Sequence, residues 1–283
     1  MSKYILSLAM ALLISASSWA QMCNIYVHGY TSKNDNYFSK LPRQVVWDSS
    51  LEVSKSAPNV AEGILKEIEN CPEDFPVVLR PHSYGAAQVF YILGQGRRFQ
   101  NLMPEHPFVK IYKKTSMVVS YTGAYHGTPI MDVVCSSQTA EKIAGLVDKP
   151  CVPTLLTSSQ LDVSSYVTTP GIPTYIMYST DHRGFLGIPG LLIGKFGSSF
   201  SDFFKKNKFN QNDNTLPISA TMACGTNDPI FDPQGKCKKL DGNYFVDVFR
   251  ETRFNHLGFI KQEGYMTRTV EDFLHDFGAE EKE

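Results

Sequence analysis

The chain lacks a surplus of either charge: 27 basic side chains stand against 28 acidic ones, for a formal charge of −1 at pH 7. No face can therefore neutralise a run of phosphates and release their counterions, which excludes nucleic acid as a partner. Long apolar runs are scarce as well. The one at the start of the chain is shorter than the roughly 20 apolar residues that span a bilayer. No repeat and no low-complexity tract occurs, so solenoid, collagen-like and disordered classes are excluded. What remains is an ordinary globular composition, with 42% hydrophobic and 19% charged positions in 283 residues, enough for one large α/β domain.

The first twenty residues have the organisation of a secretory signal. Lys3 supplies the positive region, residues 4–15 are apolar, and Ser18-Trp19-Ala20 places small residues where signal peptidase reads. Cleavage after Ala20 would start the mature chain at Gln21, and the expected location is the periplasm or the medium. All six cysteines, Cys23, Cys71, Cys135, Cys151, Cys224 and Cys237, follow that cleavage point. An even number in an oxidising space predicts disulfides, and the spacings match no zinc motif. Many connectivities are open. Closeness in sequence favours Cys135 with Cys151 and Cys224 with Cys237, leaving Cys23 for Cys71.

Along the mature chain, residues 24–27 form a short apolar run closed by His28-Gly29, which predicts a strand ending in a turn. Residues 60–70 carry Val60, Ile64, Leu65 and Ile68 at helical spacing. Residues 75–79 suit a buried strand and 86–94 a helix. Further strands are expected at 116–121, 173–179 and 244–249. Strands alternating with helices predict a mostly parallel central sheet flanked by helices. The segment 126–171 fits no simple crossover and is a candidate cap. A second segment, 184–204, is apolar and poor in charge, and reads either as core or as a ligand-facing surface.

The chemistry centres on Val77-Val78-Leu79-Arg80-Pro81-His82-Ser83-Tyr84-Gly85-Ala86-Ala87. An apolar strand running into Ser-x-Gly and then a helix of small residues is the context of a nucleophile elbow, where a strained turn lifts the serine hydroxyl clear of the sheet. Gly85, Ala86 and Ala87 are small where strand and helix pass closely. Pro81 stands where glycine is usual, and lacks a backbone donor. His28-Gly29-Tyr30 follows the first strand, where such enzymes place an oxyanion amide. Asp228 follows at Asn227-Asp228, and His256 at Asn255-His256-Leu257, giving the order Ser, Asp, His. Asp181, just beyond the 173–179 strand, is a second candidate acid; Asn227-Asp228 is favoured because it precedes the final strand and its histidine. Of the remaining histidines, His82, beside the nucleophile, and His126 read as structural or supporting residues rather than metal ligands, and His106, His182 and His275 show no ligand spacing.

Together, Val27-His28-Gly29, His82-Ser83-Tyr84-Gly85, Tyr125-His126-Gly127-Thr128-Pro129, Asn227-Asp228 and Asn255-His256-Leu257 resemble the secreted bacterial triacylglycerol lipases and esterases of the α/β-hydrolase fold. The resemblance implies Ser83 as nucleophile, His256 as general base and acid, and Asp228 as the residue orienting it. It implies the amides of Tyr30 and Tyr84 as oxyanion hole, and a cap or lid after His126. The sequence departs from the family's pattern at Pro81, at Ala86, and at Gly258, which replaces the aspartate ligand of the calcium-binding members. No cofactor is expected, and calcium is the only metal the resemblance raises. Partners are small-molecule or lipid esters, with transient contact at a lipid interface.

The roles stand on chemistry too. A serine hydroxyl is a weak nucleophile at neutral pH and needs a base whose pKa lies near the working pH, which histidine supplies. A carboxylate fixes the imidazole tautomer. Apolar residues at 184–204, with Met103, Ile130 and Met131, point to an apolar acyl group. Two other readings use the same residues: a non-catalytic binding protein on this scaffold, and acyl transfer or amide hydrolysis by the same triad.

Overall fold

The computed structural model describes residues 22–30, 37–38, 40–125, 127–128, 131–132, 135, 151–156, 172–179, 246–251, 258–269 and 272, with 246–251 described by their backbone pairing. Its centre is a six-stranded sheet. The strands are β1 (Cys23–Val27), β2 (Gln44–Val45), β3 (Val77–Pro81), β4 (Thr115–Tyr121), β5 (Thr174–Ser179) and β6 (Val246–Glu251), in the order β2-β1-β3-β4-β5-β6. Every pairing is parallel. Parallel strands need crossover connections; α1 (Val53–Glu69) provides the one from β2 to β3, and α2 (Tyr84–Phe99) with α3 (Pro107–Lys114) the one from β3 to β4. Two short helices, α4 (Gly258–Lys261) and α5 (Glu263–Met266), come near the end.

Alternation along each strand builds two cores. Cys23, Ile25 and Val27 of β1, and Val77 and Leu79 of β3, face α1, α2 and α3 in an aliphatic cluster. Tyr26, Val78, Val119, Tyr121 and Met177 face the other way, toward Phe38, Leu41, Phe259, Tyr265 and Met266. A strand buried on both faces reads as a near-continuous apolar run, and β3 does so.

Helix α1 starts at Val53, earlier than the periodicity over 60–70 predicts, because Val53 and Ala57 continue its buried stripe. The Val53 N–H donates to Thr154 Oγ1 at 3.0 Å, so a residue of the candidate cap caps this helix. Other parts of that segment are rooted in the core: Met131, Val152 and Leu155 are all buried in the aliphatic cluster. Helix α3 is too short to show periodicity. It starts with Pro107 at its first turn, and the His106 side chain accepts from Phe108 N–H.

The chain forms the disulfides Cys23–Cys71 and Cys135–Cys151, two of the expected pairings. The first closes a separation of 48 residues and ties the start of β1 to the end of α1, restricting the unfolded chain. Cys224 and Cys237, the apolar segment 184–204, and the signal region lie outside the described residues. No described helix is long and apolar enough to cross a membrane.

The topology marks a place for chemistry. From β1 the chain moves outward to β2, and from β3 it moves the other way to β4. The connections leaving β1 and β3 diverge, opening a crevice at their carboxyl ends, where ligands bind in open α/β sheets.

Candidate active site

Ser83 lies in that crevice, one residue past the His82 bridge that ends the pairing of β3 with β4. Its backbone has φ 54° and ψ −124°, a conformation a non-glycine residue rarely holds. Such strain costs about 1–3 kcal/mol and persists only where the surroundings over-determine it. Here they do. The Ser83 N–H donates to Tyr121 O at 3.0 Å, and the Ser83 carbonyl accepts from Ala86 N–H at 3.0 Å and Ala124 N–H at 3.1 Å. The His82 N–H donates to Val27 O at 3.0 Å.

Two glycines allow this turn to close. A Cβ on Gly85 would lie 2.5 Å from the carbonyl oxygens of both Val27 and His28; one on Gly29 would lie 2.6 Å from Ser83 Cβ. Ala86 and Ala87 are buried beside them, as their small size required.

Pro81, which departs from the family pattern, is the last residue of β3. Strand donors alternate sides, and Ser83 donates toward β4, so residue 81 would do the same. Without that donor the pairing with β4 skips from Leu79↔Val118 to the isolated bridge His82↔Tyr121. The turn forms regardless, because its bonds come from His82, Ser83, Gly85 and Ala86.

Of the expected oxyanion groups, Tyr84 follows Ser83 directly, and Tyr30 follows Gly29, which packs against Ser83. Tyr84 opens α2, and the first amides of a helix have no intrahelical acceptor. The amides of Gly85 and Ala86 bond to the carbonyls of His82 and Ser83. Tyr30, half-buried, ends the His28-Gly29-Tyr30 stretch. His28 anchors that stretch: its Nε2 accepts from the Trp47 backbone N–H at 3.2 Å, which leaves Nδ1–H to donate to Gly29 O at 2.7 Å. The Trp47 indole N–H donates to His28 O at 3.1 Å, and the two rings stack at 5.3 Å.

His82 is fully buried, with Nδ1 2.7 Å from the Tyr37 hydroxyl and Nε2 3.3 Å from Thr122 Oγ1. Thr122, like Ser83, has a positive φ, 42°. Beneath the turn, Arg80 is 1% exposed. Its guanidinium donates to Asn24 Oδ1 at 2.7 Å, the Tyr121 hydroxyl at 2.6 Å, Met266 O at 2.8 Å and Arg268 O at 2.8 Å. Sequence reasoning missed Trp47, Tyr37, Thr122 and Arg80 as parts of this centre. Arg80 carried a signal, being a charged residue inside an apolar strand; Tyr37 carried none.

His256, Asp228, Asp181 and His126 lie outside the described residues. Their neighbours in sequence are informative. Asp181 and Asp228 both belong to the connection between β5 and β6, and His256 follows the end of β6 by five positions. Both strands run parallel to β3, so Ser179 and Glu251 end at the edge of the sheet where Ser83 sits. Among the apolar residues assigned to acyl recognition, Met131 is core, 3% exposed. Met103 is 49% exposed beyond the far end of α2, a helix about 24 Å long that begins beside Ser83, so it is not a recognition residue. Among the described residues no group of three His, Cys, Asp or Glu side chains is arranged to hold a metal ion.

No family model and no curated protein matches the chain. Solved structures do. A metagenomic carboxyl esterase, MGS0156, aligns over 85% of this chain and 66% of its own at 16% identity, with a TM-score of 0.54. The lipase BlEst2 of Bacillus licheniformis, in mature form, aligns over 86% of this chain and 88% of its own at 14% identity, with a TM-score of 0.52. The chain thus spans about two thirds of the esterase's length. At these identities the likeness establishes architecture: the chain has the α/β-hydrolase fold, a mostly parallel sheet flanked by helices.

Proposed function

We propose that this chain is an exported serine ester hydrolase, a lipase or carboxylesterase, that acts through an acyl-enzyme on esters with an apolar acyl group. The observation that carries the reading is Ser83 itself: a strained turn at the carboxyl end of a central parallel strand, closed by Gly29 and Gly85 and opening directly into α2. A buried turn of this kind on a serine matches what a nucleophile elbow needs. The solved structures of similar architecture are those of an esterase and a lipase, which agrees with an ester substrate.

In this reading the Ser83 hydroxyl attacks the ester carbonyl as His256 takes its proton. The carbonyl oxygen becomes an oxyanion held by the amides of Tyr30 and Tyr84, each such donor contributing about 2.7–4 kcal/mol in comparable sites. Collapse expels the alcohol, protonated by His256, and leaves Ser83 acylated. Water then gives a proton to His256 and attacks the acyl carbon; release of the carboxylic acid returns the proton to Ser83. Asp228 orients His256, with Asp181 the competing acid from the same connection. The protein's own groups carry every step.

The test is the intact mass of the mature protein after exposure to a fluorophosphonate, beside Ser83→Ala. One adduct on the wild type that vanishes in the variant supports an activated serine; no adduct on folded protein overturns it and favours a binding protein. Comparing Asp228→Asn with Asp181→Asn assigns the acid by the larger loss of turnover. Product analysis with added alcohols separates hydrolysis from acyl transfer. Finding Gln21 at the amino terminus of exported protein tests the signal.

A further inference from the structure

We infer that Tyr37 and His82 form a clamp that sets the oxyanion stretch at a fixed distance from the nucleophile turn, making both of them positioning residues. The inference rests on Ser83 being the nucleophile and the amide of Tyr30 being an oxyanion donor.

The clamp is a chain of hydrogen bonds across the carboxyl ends of the strands. The Gly29 N–H, following β1, donates to the Tyr37 hydroxyl oxygen. That oxygen, occupied as an acceptor, turns its hydrogen to His82 Nδ1 at 2.7 Å. The imidazole therefore carries its proton on Nε2, which faces Thr122 Oγ1 at 3.3 Å, following β4. The Thr122 N–H continues the chain to Met177 O of β5 at 2.7 Å. Burial raises the Tyr37 hydroxyl far above its ordinary pKa, so the donor keeps its hydrogen.

Position gives the chain its effect. His82 immediately precedes Ser83, and Gly29 immediately precedes Tyr30. The two stretches approach so closely that a Cβ on Gly29 would strike both Ser83 Cβ and the Tyr37 hydroxyl, each at 2.6 Å. The shortest covalent link between them runs back along β1, across the Cys23–Cys71 disulfide and forward along β3, far from the gap itself, so their separation is set by contacts such as these. An oxyanion donor works only at hydrogen-bond distance from the developing charge, and a displacement of about 1 Å lowers the rate by roughly a hundredfold. His82 also holds the strained turn from its far side. With both ring nitrogens facing hydroxyls, it serves as a spacer.

The experiment measures kcat and KM for a soluble p-nitrophenyl ester in Tyr37→Phe, His82→Leu, His82→Asn and the Tyr37→Phe/His82→Leu pair. Rates are expressed per active site counted by completed fluorophosphonate labelling, so misfolded molecules do not contribute. Tyr37→Phe is expected to lower kcat about tenfold to a hundredfold with KM within about threefold of wild type. His82→Asn keeps an acceptor for the Tyr37 hydroxyl and should recover most of the activity that His82→Leu loses. The double variant should be no worse than the weaker single one, as expected of groups acting as a unit. Wild-type kcat per labelled site in Tyr37→Phe, or equal losses in His82→Asn and His82→Leu, would overturn the clamp while leaving the nucleophile in place. Failure of the wild type to label at Ser83 would overturn the underlying reading instead.

Discussion

The two faces of the central sheet are built on different principles. The face toward α1, α2 and α3 is mainly aliphatic, built on Val, Ile, Leu and Ala with Trp47, Tyr84, Phe90, Phe108 and Tyr125 among them, and is covered by helices that lie between consecutive strands in the sequence. The opposite face is aromatic and sulfur-rich. Tyr26, Phe38, Tyr121, Phe259, Tyr265, Met177 and Met266 close it, Tyr121 and Met177 from the middle strands and the rest from segments more than 200 residues apart, with the Arg80 guanidinium buried among them. On the first face most neighbours in space are near in sequence, and burial of apolar surface supplies most of the packing, with the Cys23–Cys71 disulfide and the Val53–Thr154 bond as fixed points. On the second, hydrogen bonds to a single cation decide which distant segment docks and where. A face that must receive the segment following His256 is better served by directional bonds than by grease.

That contrast can be broken by substitution. Arg80→Ala should have the largest effect, about 4 kcal/mol in urea unfolding, because it opens a cavity and strands the Asn24 side chain and two backbone carbonyls. A loss below that of an aliphatic truncation would mean that the cation does not organise its face. Ile64→Ala on the helical face should lose about 3 kcal/mol through transfer and cavity terms alone, and should leave kcat per labelled site unchanged.

Alkaline unfolding sharpens the comparison further. Burial pushes the Tyr26 hydroxyl up to about 12, with the neighbouring Arg80 charge opposing the rise. The folded protein therefore keeps a proton that the unfolded chain releases near 10, so stability falls as pH climbs from about 10 to 12, by on the order of 2 kcal/mol for this group. A stability curve flat across that window would remove Tyr26 from the account. Tyr121→Phe should be the mildest change, about 1 kcal/mol, the loss of the 2.6 Å bond from Arg80 with the ring contact to Phe259 kept.

Legibility in the sequence followed the same division. Strands β1, β3, β4, β5 and β6, and helices α1 and α2, announce themselves through runs and periods, and the motif around Ser83 marks its turn. Strand β2 has two residues and α3 only eight, too few for a period to emerge. Tyr37 and Trp47 lie in stretches without a pattern, and their roles come from contacts with His82 and His28 that span 45 and 19 positions. Disulfide pairing was legible for Cys135 and Cys151 because short separations favour closure. Pro81 misled in the other direction: the usual glycine suggests a need for conformational freedom there, whereas β3 requires of residue 81 only extended backbone and Ser83 itself takes the unusual angles.

Arg80 also gives the fold a timetable. Its bonds to Met266 and Arg268 span 186 and 188 residues, so a chain emerging from the ribosome has made the cation long before its acceptors exist. With only Asn24 and Tyr121 to receive it, the guanidinium would be enclosed short of two acceptors, a cost that keeps the aromatic side of the sheet open and hydrated until the later segment docks. The helical side, being local, can assemble early; the molecule closes only when its final stretch arrives, and a product cut short before Met266 is left with a half-built sheet and an exposed aromatic surface for proteases to find.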